Sequence, residues 1–159
     1  MTTSSLSAEA SLRPALLILR ITLGVFLLQW GLEKIFYPQY SMAINKVFYF
    51  GIIPNTAGVW MVIGILQSLL AVAIIAGFQK KYTYMAGFII HGLSTVSSWA
   101  RLIAPWKTWE IIDPARSMEP FGYPSNHLFM TAIPVLAAFW LIWRNRHLDT
   151  LGSIGGGES

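Results

Sequence analysis

Apolar residues dominate four long blocks of the chain, and polar or proline-rich stretches separate the blocks. The blocks cover residues 14–36, 57–78, 82–104 and 127–143. Each is close to the roughly 20 residues that a helix needs to cross a hydrocarbon layer about 30 Å thick. The blocks are continuously apolar rather than alternating, which favours helices over the strands of a membrane barrel. The pattern therefore predicts an all-α fold, a single integral membrane domain over residues 1–159 with a bundle of four transmembrane helices.

The connections between the blocks differ in character. Residues 37–56 place apolar side chains around the polar Ser41, Asn45 and Lys46, which predicts a short helix lying in the membrane interface between helices 1 and 2. Residues 105–126 contain four prolines and several charges, so we expect a loop with its aromatic residues at headgroup level. The small, polar residues at both ends of the chain predict flexible tails.

Composition and charge narrow the class of protein. The chain is 55% hydrophobic and 11% charged, far below the roughly 25% charge of soluble domains. The net charge is +4, but the basic residues are scattered at helix ends, which argues against a nucleic-acid partner and for contact with membrane lipids. The chain has no cysteine, which excludes disulfides, thiolate metal sites and a cysteine nucleophile.

The distribution of basic residues predicts the orientation. Four spans place the N-terminus, the turn at 79–81 and the C-terminus on one side of the membrane. That side carries the larger share of cations, namely Arg13, Lys80, Lys81, Arg144 and Arg146. Cytoplasmic loops are enriched in lysine and arginine, so both termini are predicted to be cytoplasmic.

Ionisable residues inside the apolar blocks need partners, because a charge in hydrocarbon is costly. Arg20 lies inside the cytoplasmic end of helix 1, and Asp149, which follows helix 4 on that side, is its candidate ion-pair partner. Glu33 and Arg101 lie near the external ends of helices 1 and 3, where they could form an ion pair, reach the interface or contact a ligand. Lys34 is turned about 100° from Glu33, and we expect it to extend to the interface.

A stripe of polar residues follows helix 3. His91, Ser94, Thr95, Ser98 and Arg101 recur at spacings of three and four, which places them on one face of the helix. In an otherwise apolar helix that face should point inward. The stripe either packs against neighbouring helices or lines a path for a ligand or a proton.

Polar residues on the other helices could share a cavity with this stripe. Gln67 and His91 lie near the middle of their helices and could hydrogen-bond to each other. Gln29 and Glu33 are four residues apart, on one face of helix 1. We expect the two inward faces, together with Thr131, to line a cavity whose external mouth Glu33 closes.

Known catalytic and metal-binding motifs do not occur in the sequence. There is no GxSxG, GxxxxGK[ST] or HExxH sequence. His91 lies about 15–20 Å below the external end of helix 3, whereas His127 opens helix 4 at that end, so they cannot ligate one haem iron. We therefore predict no metal site, no intrinsic cofactor and no catalysis by the chain alone.

Several stretches resemble the DoxX family of small four-helix membrane proteins. In "LRITLGVFLLQWGLEKIF", Arg20, Gly24, Gly31 and Lys34 stand where that family tends to carry an arginine, two glycines and a lysine. "GIIP", "GILQSLLAVAIIAGFQKKYTYMAG" and "HLDTLG" resemble its connecting segment, its second and third helices and its terminal Leu-Asp. One departure is Gln67, where the family often carries an acid.

The resemblance implies a function. Relatives include the DoxD membrane subunit of thiosulfate:quinone oxidoreductase, so the chain is expected to be a subunit in a bacterial-type inner membrane. It would partner other membrane protein subunits of a redox or quinone-linked complex and bind a quinone, a lipid or another apolar small molecule. The alternatives are a structural or assembly subunit without ligand chemistry and a small transporter.

Overall fold

The computed structural model describes residues 3–49, 51–99 and 131–154, and this part of the chain is helical without strands. Its five helices are α1 (Thr3–Phe36), α2 (Pro38–Phe48), α3 (Ala57–Ala76), α4 (Lys80–Ser97) and α5 (Ala132–Arg144). The all-α class is as predicted. Arg101, His127 and the loop predicted at 105–126 lie outside the described residues.

Two of these helices are long and apolar enough to cross a membrane. They are the stretch Glu9–Phe36 of α1 and the whole of α3, while α5 is a shorter apolar helix. Helix α4 corresponds to the predicted third span and α5 to the predicted fourth. A bundle of four transmembrane helices stays a prediction and is taken up below.

Helix α1 begins much earlier than the sequence pattern predicts. It starts at Thr3 and continues through Pro14, so the expectation of a flexible N-terminal tail is wrong over residues 3–13. The segment "SSLSAEASLR" contains alanine, leucine, glutamate and arginine, all of which favour helix. Pro14 removes one backbone hydrogen bond from the helix without ending it here.

The core lies along one face of each helix. On α1 the buried residues Leu16, Arg20, Leu23 and Leu27 recur at spacings of three and four, which is the pattern of a helix packed on one side. Helix α1 packs chiefly along α3, and α4 packs chiefly along α5. The remaining core side chains come from α3, α4 and α5, and are Ala71, Ile74, Tyr84, Phe139 and Ile142.

Glycines bring α1 and α3 into direct backbone contact. A Cβ atom added to Gly64 would lie 2.7 Å from the carbonyl oxygen of Gly31 and 2.8 Å from the Cβ atom of Lys34. Such distances leave no room for a side chain. The two glycines therefore fix how closely the helices approach, since small residues let helix backbones come close together.

Helix α2 and the segment after it fold back over α1 and α3. Pro38 occupies the first helical turn, where its missing N–H is not needed. The fully buried Asn45 donates from its side-chain Nδ2 atom to the carbonyl oxygen of Ile53, at 2.8 Å, and its backbone carbonyl oxygen accepts from the backbone N–H groups of Tyr49 and Gly51. One asparagine thus holds the connection to α3 in place.

Candidate functional site

A cavity of about 270 Å³ lies between the helices, and all five helices contribute to its lining. Its walls are mainly apolar and aromatic, and include Phe26, Trp30, Tyr49, Trp60 and Ile90. Ligand cavities in proteins usually have a volume of roughly 300 to 1,000 Å³ and a few polar groups that fix orientation. This cavity lies just below that range, so it suits a small molecule or the head group of a larger one.

Gln67 is one polar group in the lining. It is buried, and its Nε2 atom donates to the carbonyl oxygen of Leu27 at 3.0 Å. This bond ties α3 to α1 and fixes the amide plane. A carboxamide that uses its nitrogen in this way still has an oxygen that can accept a hydrogen bond.

His91 is a second polar group, and three contacts fix its ring. Its Nε2 atom lies 3.0 Å from the carbonyl oxygen of Ala132. Because a carbonyl only accepts, Nε2 carries the hydrogen, and in the neutral ring Nδ1 is then an acceptor. The ring packs edge-to-face on Phe26 at a centroid distance of 5.5 Å and lies 5.9 Å from the ring of Phe139. The expected hydrogen bond between Gln67 and His91 is not formed, and each side chain instead donates to a backbone carbonyl.

Lys34 is the third, and its position corrects the expectation that it extends to the interface. Its Nζ atom donates to the carbonyl oxygen of Trp30, one turn back along the helix, at 3.1 Å. The same atom lies 5.7 Å from the centroid of the Trp30 ring. The side chain is half-buried and lines the cavity. The reason is geometric. Side chains on a helix lean in the direction of its N-terminus, and from Lys34, near the C-terminal end of α1, that direction leads into the bundle.

Three other residues, two on α1 and one just before α5, are expected to line the cavity but do not do so. Gln29 is exposed, and Glu33 is half-buried; neither belongs to the cavity lining. Within the part of the chain that is described, the Oε1 atom of Glu33 is buried without a hydrogen-bond partner. Thr131 is exposed, and its neighbour Ala132 lines the cavity instead.

The polar stripe of helix 3, now α4, divides into two parts. His91, Ser94 and Ser98 line the cavity, whereas Thr95 is buried beside it. The hydroxyl of Thr95 donates to the carbonyl oxygen of His91 at 2.8 Å, and the hydroxyl of Ser98 donates to the carbonyl oxygen of Ser94 at 3.0 Å. These hydroxyls satisfy carbonyls of their own helix, as serine and threonine often do, and retain lone pairs that can accept. Arg101, the last residue of the stripe, lies outside the described residues.

The opposite end of α1 carries a buried ion pair. The Nη1 atom of Arg20 lies 3.0 Å from Oδ1 and 3.1 Å from Oδ2 of Asp149, and both side chains are at most 1% exposed. The Nη2 atom of Arg20 donates to the carbonyl oxygens of Leu151 and Gly152. The two residues that the sequence suggests as partners are therefore in direct contact.

Two residues of α4 join this ion pair. The Tyr84 hydroxyl donates to Oδ2 of Asp149 at 2.5 Å, and Nζ of Lys80 donates to the backbone carbonyl of Asp149 at 2.6 Å. Lys80 is 6% exposed, so this cation lies inside the protein at the end where the sequence places it. Sequence reasoning missed Tyr84, because a tyrosine in an apolar block carries no signal of a buried carboxylate beside it.

The segment after α5 is fastened to three helices by these contacts. Besides the bonds to α1 and α4, the backbone N–H of Ile154 donates to the carbonyl oxygen of Ala76 at the end of α3, at 2.9 Å. Gly77, in the left-handed conformation, makes room for Arg20, since a Cβ atom there would lie 2.6 Å from Nη1. The sequence "HLDTLG" is thus a structural closure of this end of the bundle.

Two of these helices have the length and hydropathy of membrane spans, and both line the largely apolar cavity, which points to a helical membrane protein. The family model for DoxX matches residues 15–96, just over half of the 159 residues, and the chain belongs to the DoxX family. The match includes Arg20, Lys34, Gln67 and His91 and ends before α5. No curated protein and no solved structure matches the chain.

Proposed function

We propose that this protein is a subunit of a bacterial-type inner membrane complex with four transmembrane helices, and that its cavity binds a quinone or a similar flat, apolar molecule. In this proposal α4 and α5 cross the membrane beside α1 and α3, and both termini face the cytoplasm. A redox partner protein exchanges electrons with the bound molecule. The chain itself positions that molecule within the membrane.

The cavity is the observation that supports this proposal. Its aromatic walls suit a flat ring, and the ammonium of Lys34 can donate to a carbonyl oxygen. The neutral ring of His91 offers an acceptor at Nδ1, which suits a hydroxyl group. Oxidised quinones carry acceptors and reduced ones carry hydroxyl donors, so these residues match both forms.

A redox partner is proposed from the family and from the chemistry of the residues present. The resemblance to DoxX proteins that belong to quinone-linked complexes supports such a partner. The polar groups of the cavity hold and orient a molecule, which is a supporting role. An assembly subunit with no ligand is the competing function, and the experiment below separates the two.

The test is quinone binding by the purified protein in lipid nanodiscs. Trp30 and Trp60 line the cavity, so a bound quinone such as menadione should quench tryptophan fluorescence saturably. Ile63→Phe adds bulk to the lining and should weaken binding by about tenfold or more, equivalent to about 1.4 kcal/mol. Ile65→Phe is the matched control, because Ile65 is exposed on the same helix and lies outside the lining.

The experiment also has a clear negative result. If the wild-type protein shows no saturable quenching, and its lipid extract contains no quinone, the cavity is not a quinone site. A stable complex with other membrane proteins under those conditions would identify the chain as an assembly subunit. Equal binding by the two phenylalanine variants would place the quinone elsewhere on the protein.

A further inference from the structure

We infer that the cavity takes its ligand through an anionic oxygen, a carboxylate or a phenolate, which pairs with the ammonium of Lys34. This inference rests on the proposal that the cavity holds an apolar small molecule, and it adds the chemistry of the head group. It also assigns the role of ligand anchor to Lys34.

Lys34 has more donors than the described part of the protein uses. An ammonium group carries three N–H donors. In the described structure, one protein acceptor is in place, the carbonyl oxygen of Trp30 at 3.1 Å. The neighbouring acid Glu33 attracts the ammonium electrostatically, but it is turned about 100° away on the helix and forms no salt bridge with Lys34. Among the residues described, the salt bridge within 4.0 Å is that of Arg20 with Asp149, at the other end of α1.

The described residues of the cavity lining do not balance the charge of Lys34. The polar residues that share the lining are neutral amide, hydroxyl and imidazole groups, and no acid among the described residues belongs to it. The remaining walls are apolar and aromatic, so the ammonium is poorly solvated and its field is weakly screened. Among the described residues Lys34 has no salt bridge, a charge in such a place is costly without one, and a negative oxygen of a ligand would balance it.

The apolar lining of the cavity indicates that the rest of the ligand is apolar. From the ammonium, the lining continues over Phe26, Trp60 and Ile90, which offer contact to an apolar body. A fatty acid presents a carboxylate on such a body, and a deprotonated quinol presents a phenolate. Both share the chemistry that the site recognises, a single anionic oxygen group ahead of an apolar part.

The test compares two probes of equal size that differ in charge. Naphthoate and naphthamide share a flat apolar ring, and the amide replaces the carboxylate by a neutral group of similar shape. Binding to the protein in nanodiscs is measured by tryptophan quenching. The wild type should bind naphthoate about tenfold more tightly than naphthamide, a difference of about 1.4 kcal/mol. Lys34→Met should abolish the preference, and Lys34→Arg should retain it.

Lys46→Met is the matched control, because it removes an exposed cation from α2 without touching the cavity. It should keep the preference for naphthoate. Thermal unfolding in detergent checks that Lys34→Met is folded, and removal of a half-buried charge is not expected to destabilise it. Equal affinities of the two probes in the wild type, or a preference that survives in Lys34→Met, would overturn the inference.

Two further measurements separate this inference from the proposed function. Saturable binding of naphthoate without any binding of menadione would remove the quinone proposal and leave the anionic anchor standing. Mass spectrometry of lipid extracts then distinguishes the natural sources, a fatty acid or a quinol. The molecule concerned should co-purify with the wild type and be depleted in Lys34→Met; an unchanged extract would contradict the role of Lys34.

Discussion

Arg20 and Asp149 are almost completely excluded from the surface, and their contacts explain why they depend on each other. The guanidinium contacts both carboxylate oxygens and two backbone carbonyls, while Tyr84 adds a donor to the carboxylate. Burying such a pair is costly, but removing one partner costs more, because the other charge stays buried alone. The pair therefore acts as a single unit that closes this end of the bundle.

Removing either partner should destabilise the protein strongly. We expect Asp149→Asn or Arg20→Met to lower the free energy of unfolding by about 3 to 5 kcal/mol, and the double variant to lose less than the sum of both. Tyr84→Phe removes one hydrogen bond to a charged group and should cost about 1.5 to 3 kcal/mol. Denaturant titration in detergent measures these values. Thr22→Ala, on the exposed side of α1, is the control, and losses no larger than in this variant would show that the pair contributes nothing.

The ion pair and the cavity differ in how far sequence could predict them. Arg20 stands deep in an apolar block, and Asp149 is an acid at the same end of the bundle, so a simple rule about buried charges suggests the pair. The face of α1 that lines the cavity is harder to predict from sequence. Periodicity locates the buried face of a helix with an uncertainty of about one residue, which corresponds to a rotation of about 100°. Choosing the polar Gln29 and Glu33 shifted that face by one position from Trp30 and Lys34.

The partners of the two central polar residues could not be read from the sequence. Gln67 donates to the carbonyl oxygen of Leu27, and His91 to that of Ala132. Every residue carries a carbonyl group, so side-chain identity gives no sign of which one will accept. The continuation of the buried stripe of α1 from Leu23 and Leu27 to Lys34 was the signal that could have located the cavity.

At the scale of elements, the contact between α1 and α3 determines the shape of the cavity, since these helices supply two of its walls. The close approach depends on Gly31 and Gly64, which face each other. The position of α2 depends on Asn45, which holds the segment that carries Tyr49 and Ile53 to the cavity. Small changes at these positions should alter the packing of whole helices.

A methyl group at Gly64 should separate α1 from α3. We expect Gly64→Ala to lower the free energy of unfolding by about 1 to 3 kcal/mol, because overpacking forces the backbones apart. Gly58→Ala lies on the same helix with nothing within 4 Å of the added atom, so it should be neutral or stabilising by up to about 1 kcal/mol. Thermal and denaturant unfolding in detergent compare the two. Equal stability of the variants would mean that the glycine contact does not set the helix spacing.

Loss of the Asn45 side chain should loosen the segment between α2 and α3. Asn45→Ala leaves the carbonyl oxygen of Ile53 without its donor, so backbone amides of residues 49–56 should exchange with solvent faster. Hydrogen exchange followed by mass spectrometry measures this. Asn55→Ala, which removes only a 3.4 Å contact to Asn45, is the matched control and should change exchange little. Unchanged exchange in Asn45→Ala would show that the segment is held by apolar packing alone.

At the scale of the whole molecule, the two ends of the bundle are chemically different. One end has the buried cluster around Arg20 together with Lys81, Arg144 and Arg146, and the cavity lies toward the other end, beyond the middle of α1. Lysine and arginine at the ends of spans favour the cytoplasmic side. Lys80 is buried at the same end, and the orientation with both termini in the cytoplasm stays a prediction.

Reporter fusions test both the orientation and the four spans. Fusions after Lys81 and after Ser159 should be fluorescent with green fluorescent protein and inactive with alkaline phosphatase, since both positions are expected in the cytoplasm. Fusions after Asn55 and after Pro114 should behave in the opposite way, because α1 and α4 would each carry the chain outward. A cytoplasmic signal after Pro114 would mean that α4 does not cross the membrane. External signals after both Lys81 and Ser159 would reverse the orientation, placing the Arg20–Asp149 cluster outside and the cavity toward the cytoplasm.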